Sequence, residues 1–253
     1  MADRRAAALL LQERVRPVSL AEERVLEVHP ALAGLLPNRG LRRGTAVAVS
    51  GSANAAVTSA ALALIAPVTA AGSWAAVVGL PQLGLAAAEE LGLALERLLL
   101  IGPVPAEQWA ATVVALVEAV DVVVVGPPPS RIGAGPACRV LARGRERGAV
   151  LVLAGWPERS WPDRAELTLH ARPLAWSGIG RGHGYLQARQ VELTISGRHG
   201  ADMARIARFW MPNAHGRFAL VEPTAAVSAG ERVNRVVELA PAPAELGLAQ
   251  QSA

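Results

Sequence analysis

Thr45-Ala-Val-Ala-Val49-Ser-Gly51-Ser52-Ala-Asn-Ala-Ala56-Val57-Thr58-Ser59 joins a short apolar run of buried-strand type to an Ala-rich helix. This is the place and spacing of a phosphate-binding loop, in which Gly, four residues and then Gly-Lys-Ser/Thr cradle a nucleotide. Backbone N–H groups hold the phosphates, the lysine reaches the β/γ-phosphates and the hydroxyl holds magnesium. Gly51 and Thr58 match that pattern, whereas Ala56 and Val57 stand where glycine and lysine belong. No other lysine can substitute, because all 25 Lys+Arg residues are arginine. The vestigial loop comprises Gly51, Ser52, Ala56, Val57, Thr58 and Ser59. Its frame predicts an α/β chain, and its chemistry predicts no phosphoryl transfer.

The neighbourhood extends this reading. Leu36-Pro-Asn-Arg-Gly-Leu-Arg-Arg-Gly44 leads into the strand, Gly72 to Val78 reads as a second strand, and Ala88 to Leu100 follows. Glu118-Ala-Val-Asp-Val-Val-Val-Val125 then reads as a third strand. In that order these segments resemble the core of RecA-family recombinases. The resemblance implies a P-loop NTPase core with a mostly parallel central sheet flanked by helices. It also locates the departures: Gly126 occupies the place of the magnesium-binding aspartate, and Leu80 falls on or near the place of the catalytic glutamate. Losing lysine, aspartate and glutamate together should remove catalysis, because phosphoryl transfer depends on positioning and charge neutralisation. The expectation is a non-enzyme without a cofactor. A weak ADP or ATP site built from loop N–H groups and the helix N-terminus is a minor alternative.

Composition bounds the rest. The chain has 253 residues, 52% hydrophobic but only 4% aromatic, so its core must be built from Ala, Val and Leu. Cys138 is the lone cysteine, which excludes an internal disulfide, and the histidines show no zinc spacing. Gly44 to Ala88 contains no charged residue, yet Gly, Pro and polar residues divide it into strand-, helix- and strand-sized pieces. A buried β–α–β unit therefore fits better than a membrane span. The short apolar run Ala6 to Leu11 is too brief for a secretory signal. A cytoplasmic protein is expected.

The net charge of +4 is unevenly placed, with arginines gathered in the second half. Arg139, Arg143, Arg145 and Arg147 lie on a predicted short helix, as a solvated face or a phosphate contact. Trp156-Pro-Glu-Arg159-Ser-Trp161-Pro-Asp-Arg164 follows the strand Ala149 to Ala154, where RecA-like chains carry a DNA-binding loop. Interleaved Trp and Arg suit single-stranded DNA, and Trp-Pro pairs equally suit a sheet edge. Gly178-Ile-Gly-Arg181-Gly-His183-Gly184 precedes a strand, not a helix, so it reads as a hairpin-like connection exposing Arg181 and His183. Arg205, Arg208, Phe209, Trp210 and Arg217 form a candidate partner surface.

Three parts are expected: an N-terminal helical segment over 1–30, including Glu23 to Val28 after a Ser19/Glu22 capping box, a core over 31–222, and a flexible tail over 223–253. The chain is similar to the inducible mutagenesis protein A family in its actinobacterial form, which the lysine-free, Ala/Arg/Val-rich composition suits. That resemblance implies an SOS-induced accessory protein of error-prone translesion synthesis. Its partners would be a Y-family polymerase-like adaptor and an error-prone C-family polymerase. The alternatives are a regulator of RecA filaments and an ATP-driven recombinase or mediator, the latter opposed by Val57. Homo-oligomerisation stays open at this level.

Overall fold

A computed structural model describes residues 25–51, 54–128, 130, 132–156, 165–179, 183–197 and 205–221. The chain is mixed α/β, with a large, mostly parallel sheet flanked by helices. Strands β1 (Val25–Glu27) and β2 (Gly40–Arg42), joined through α1 (Pro30–Ala33), form a small antiparallel pair. The main sheet is built from β3 (Ala46–Gly51), β4 (Ala75–Val78), β5 (Leu98–Ile101), β6 (Val122–Val125), β7 (Val150–Ala154), β8 (Leu167–Ile179), β9 (Gly184–Gly197), β10 (Arg205–Trp210) and β11 (Ala219–Leu220). Its order is β11-β10-β9-β8-β3-β7-β6-β4-β5, parallel from β8 to β5 and antiparallel from β8 to β11. The connecting helices are α2 (Asn54–Ala70), α3 (Leu85–Glu90), α4 (Ala106–Ala119) and α5 (Ala134–Arg147).

The central strands are continuous apolar runs because both of their faces are covered. Alternation then sorts them: Val77, Val124 and Val152 pack in one core with α2, and Val78, Val125 and Leu153 pack in the other with Trp109 of α4 and Val140 of α5. Helix α2 is buried almost all round, from Ala60 through Ala66, and its alanines let strands approach closely. That burial accounts for the charge-free stretch. Among the described residues, no helix is long and apolar enough to cross a membrane. Helix α5 ends at Gly148, whose φ of 72° lets Ala149 N–H reach the Gly144 carbonyl.

Several sequence expectations change. Val25–Glu27 is a strand, not part of a helix, because pairing with β2 and burial of Leu26 outweigh the capping signal. Glu118 and Ala119 close α4, so the strand read from Glu118 begins only at Val122. The strand read over Ala165 to Arg172 runs on to Ile179, since β9 offers it a partner along that length. Residues 1–24 and 222–253, carrying most of the expected N-terminal segment and the tail, lie outside the described residues.

Candidate functional site

Strands β3, β7, β6 and β4 end side by side at Gly51, Ala154, Val125 and Val78, with α2 starting at Asn54. The chain leaves β3 for β4 in one direction and leaves β7 for β8 in the other. Such a switch point, at the carboxyl ends of parallel strands, is where open α/β sheets bind ligands. A crevice of about 230 Å³ lies there, lined by Val57, Thr58, Leu80, Leu83, Pro127 and Gly155 among others. A second, of about 310 Å³, adjoins it through Gly79, Pro81 and Pro127. Of the loop residues singled out in the sequence, Val57 and Thr58 thus lie with Leu80 at this crevice.

Their geometry is closed to a nucleotide's charge. Helix α2 already begins at Asn54, three residues after β3 ends at Gly51. Ala56 and Val57 are buried in the first turns of α2, and Thr58 is half-buried at the crevice. Gly51 is part of β3 and faces Ala171 so closely that a Cβ there would collide with the Ala171 carbonyl oxygen. Its absent side chain serves strand contact. Ser59 Oγ accepts a hydrogen bond from Arg189 Nη2 at 2.9 Å. At Gly126 a Cβ would meet the Gly79 carbonyl oxygen and would lie 2.7 Å from Leu80 Cδ2. The position that the resemblance assigns to a metal aspartate therefore has no room for a side chain. None of the described residues lining either crevice carries a charge. Among the described residues, no three His, Cys, Asp or Glu side chains gather as metal ligands. The residues present do not fit a magnesium–nucleotide complex.

The candidate DNA contacts separate. Trp156 is 6% exposed, donates its Nε1–H to the Val125 carbonyl at 2.9 Å and meets Trp109 edge-on at 5.9 Å. It is part of the core and cannot stack on a base, which corrects that reading. Arg159, Trp161, Arg164 and Arg181 lie outside the described residues, and His183 is exposed at the end of a hairpin. On α5, Arg143 pairs with Glu118 and Glu146, both at 2.7 Å, and Arg147 donates to the Glu118 carbonyl. These arginines tie α5 to α4.

The candidate partner residues divide by strand alternation. Phe209 is fully buried, stacked on Phe218 at 5.1 Å, and is core rather than contact surface. Ile206, Arg208 and Trp210 lie on the other face of β10, opposite Thr194, Glu192 and Gln190. Arg205 donates to the Leu36 carbonyl at 3.4 Å, and Arg217 is exposed in the turn that Asn213 organises. Sequence reading missed that Glu192 is clamped by Arg172 at 2.6 Å and Arg208 at 3.3 Å. Partial burial works to raise the Glu192 pKa, but the two arginines outweigh it and hold the carboxyl below its ordinary value. A depressed carboxylate stabilises the fold above the unfolded-state pKa, about 4.3, and that contribution is lost as pH falls through the folded-state pKa. Glu192→Gln should accordingly flatten the decline of stability below about pH 5, as read by urea midpoints across pH. An unchanged slope would remove the clamp from the acid response.

The second residue missed is Arg189, 4% exposed on β9. Its Nε donates to the Met211 carbonyl at 2.8 Å, its Nη2 to Ser59, and its guanidinium lies 5.0 Å from the Trp176 ring centroid. Burial lowers its pKa from the ordinary value, though an arginine keeps its charge. No local pattern announces this role, because its partners lie on α2 and just beyond β10.

The family described as MT3502 N-terminal domain matches residues 34–162, from the approach to β2 through the loop after β7. Uncharacterized protein Rv3395c of Mycobacterium tuberculosis is 33% identical over 198 residues, covering 74% of this chain and 91% of the relative. The family model's match includes the described lining of both crevices and stops before β8. By both measures the chain belongs to the MT3502 N-terminal domain family.

Proposed function

We propose that this protein is a non-catalytic, RecA-like accessory factor of error-prone translesion DNA synthesis, holding a Y-family polymerase-like adaptor and, through it, an error-prone C-family polymerase. The observation that carries the non-catalytic part is the crevice: it sits where an α/β sheet takes a nucleotide, yet Val57 and Leu80 line it with apolar side chains, and Gly79 and Leu80 leave no space for a side chain at Gly126. The RecA-like part is supported by a loop-bearing strand set inside a parallel sheet, with β7 and β6 between it and β4, and by the antiparallel extension at one edge. The translesion part draws on the resemblance to the inducible mutagenesis protein A family.

A rigid core of this kind serves binding. The open face of β10, with Ile206 62% exposed beside Arg208 and Trp210, is the surface proposed for the adaptor. Co-expression with the adaptor from the same genome, followed by size-exclusion chromatography with light scattering, should give co-elution at defined stoichiometry. Ile206→Asp should disrupt it while leaving the fold intact. Arg208→Glu is a poorer probe, since it would set a second carboxylate beside Glu192. Separate elution of two folded proteins would overturn the scaffold reading and favour regulation of RecA filaments.

A further inference from the structure

The hairpin of β8 and β9 outgrows its sheet. Strand β3 pairs with β8 only as far as Ala171, and β10 pairs with β9 only from Gln190 onward. Trp176–Ile179 and Gly184–Arg189 therefore pair with each other alone among the described strands, as an arm of about 15 Å. Because β8 runs parallel to β3, the arm rises from the carboxyl end of the sheet, the same end as the crevice. Two register shifts bend it, and Gly178, with φ 98°, permits a close approach to the Tyr185 carbonyl that a side chain would block.

The arm's surface is unusual for an unsupported hairpin. Tyr185 is 72% exposed and Trp176 49% exposed, and neither closes a core. From Leu167 through Val191 the chain contains no Asp or Glu, while it carries Arg172, Arg181 and Arg189 together with His170 and His183. Glu192, the first carboxylate after that stretch, is neutralised by Arg172 and Arg208. At the base, Arg189 anchors the arm to Ser59 and Met211 and supports the inner side of the Trp176 ring. Exposed aromatic rings on a stretch that carries basic residues and no carboxylate match the requirements of a polyanion with flat, unpaired bases. A duplex hides those faces; a single strand offers them.

We infer that the β8–β9 arm binds single-stranded nucleic acid, with Trp176 and Tyr185 as base-stacking residues. The inference does not depend on the scaffold reading, and it moves nucleic-acid contact away from Trp156, which the core has claimed. Full-length protein should bind a fluorescently labelled oligothymidylate by anisotropy, more weakly as salt rises and more tightly than the matching duplex. Tyr185→Ala and Trp176→Ala should each weaken binding by about 5- to 140-fold, the range expected for one lost base stack. Trp176→Phe should bind nearly as the parent does. Because Trp176 covers Arg189, the Tyr185 variant decides the matter if Trp176→Ala melts early by circular dichroism. A folded chain that fails to bind the oligonucleotide, or a folded Tyr185→Ala that binds it unchanged, would overturn the proposal. So would an arm variant that loses the adaptor but keeps the oligonucleotide, which would make the arm a protein-docking element.

Discussion

Gly126→Asp, which would put a carboxylate where the RecA resemblance places a metal-binding aspartate, is expected to destabilise the protein strongly rather than to endow it with nucleotide binding. The new Cβ would press on the Gly79 carbonyl oxygen and on Leu80 Cδ2, and overpacking of this kind costs about 1–3 kcal/mol. A carboxylate brought into a crevice without a cationic lining residue adds a desolvation cost of several kcal/mol. Together they should remove about 4 kcal/mol or more, a large part of the roughly 5–15 kcal/mol that stabilises a typical domain. Urea unfolding followed by tryptophan fluorescence would read the loss, and Gly126→Ala should show the steric part alone. A Gly126→Asp protein of parental stability that takes up magnesium–ATP would mean that the crevice is open in solution, and the non-catalytic reading would fall. Val57→Lys should fail for a related reason, since Val57 is buried in α2 where an ammonium group has no acidic partner among the lining residues.

Arg189→Ala carries the second large effect. It strips the Met211 carbonyl and Ser59 Oγ of their bonds to the guanidinium and removes the cation beneath Trp176. Leaving a buried and a half-buried acceptor without these donors should cost about 2–4 kcal/mol. Lysine should recover less than half of that, because one ammonium cannot reproduce a planar fork that reaches two acceptors in different directions. The damage should be local before it is global: with its anchor gone, the arm should be cut faster by chymotrypsin at Trp176 and Tyr185, below the temperature at which the sheet melts. Equal cleavage of parent and variant would show that the arm stands without this brace.

Both outcomes concern contacts between segments far apart in the chain, and that separation marks the limit of what could be read from residues in order. The parallel half was legible because its information is local. Runs such as Val122–Val125 and Val150–Ala154 can only be strands covered on both faces, and the glycines and prolines between them mark the turns. The absence of lysine, and the apolar residues at positions 57 and 80, likewise needed no coordinates. The glycine-rich stretch before Tyr185 was identified as a connection between strands because no helix follows it.

Local pattern failed where a distant partner decided. Val25–Glu27 follows a capping signal, but β2 recruits it into a strand. Trp156 sits in a Trp/Arg-rich stretch that suggests a solvent-facing loop, yet the Val125 carbonyl and Trp109 draw it inside. Phe209 and Trp210 are adjacent in a seemingly uniform cluster, and only the pleat sends one into the core and the other to the opposite face. Sequence by itself determined that this is an α/β chain with a parallel, doubly covered sheet and no lysine, because hydrophobic period and residue chemistry are properties of neighbours. Tertiary structure alone decided that the Gly126 position has no room for a side chain, that Arg189 is the buried brace of an arm, and that Trp176 and Tyr185 remain exposed. Burial and close approach are set by whatever the fold brings alongside, and those groups lie scores of residues away.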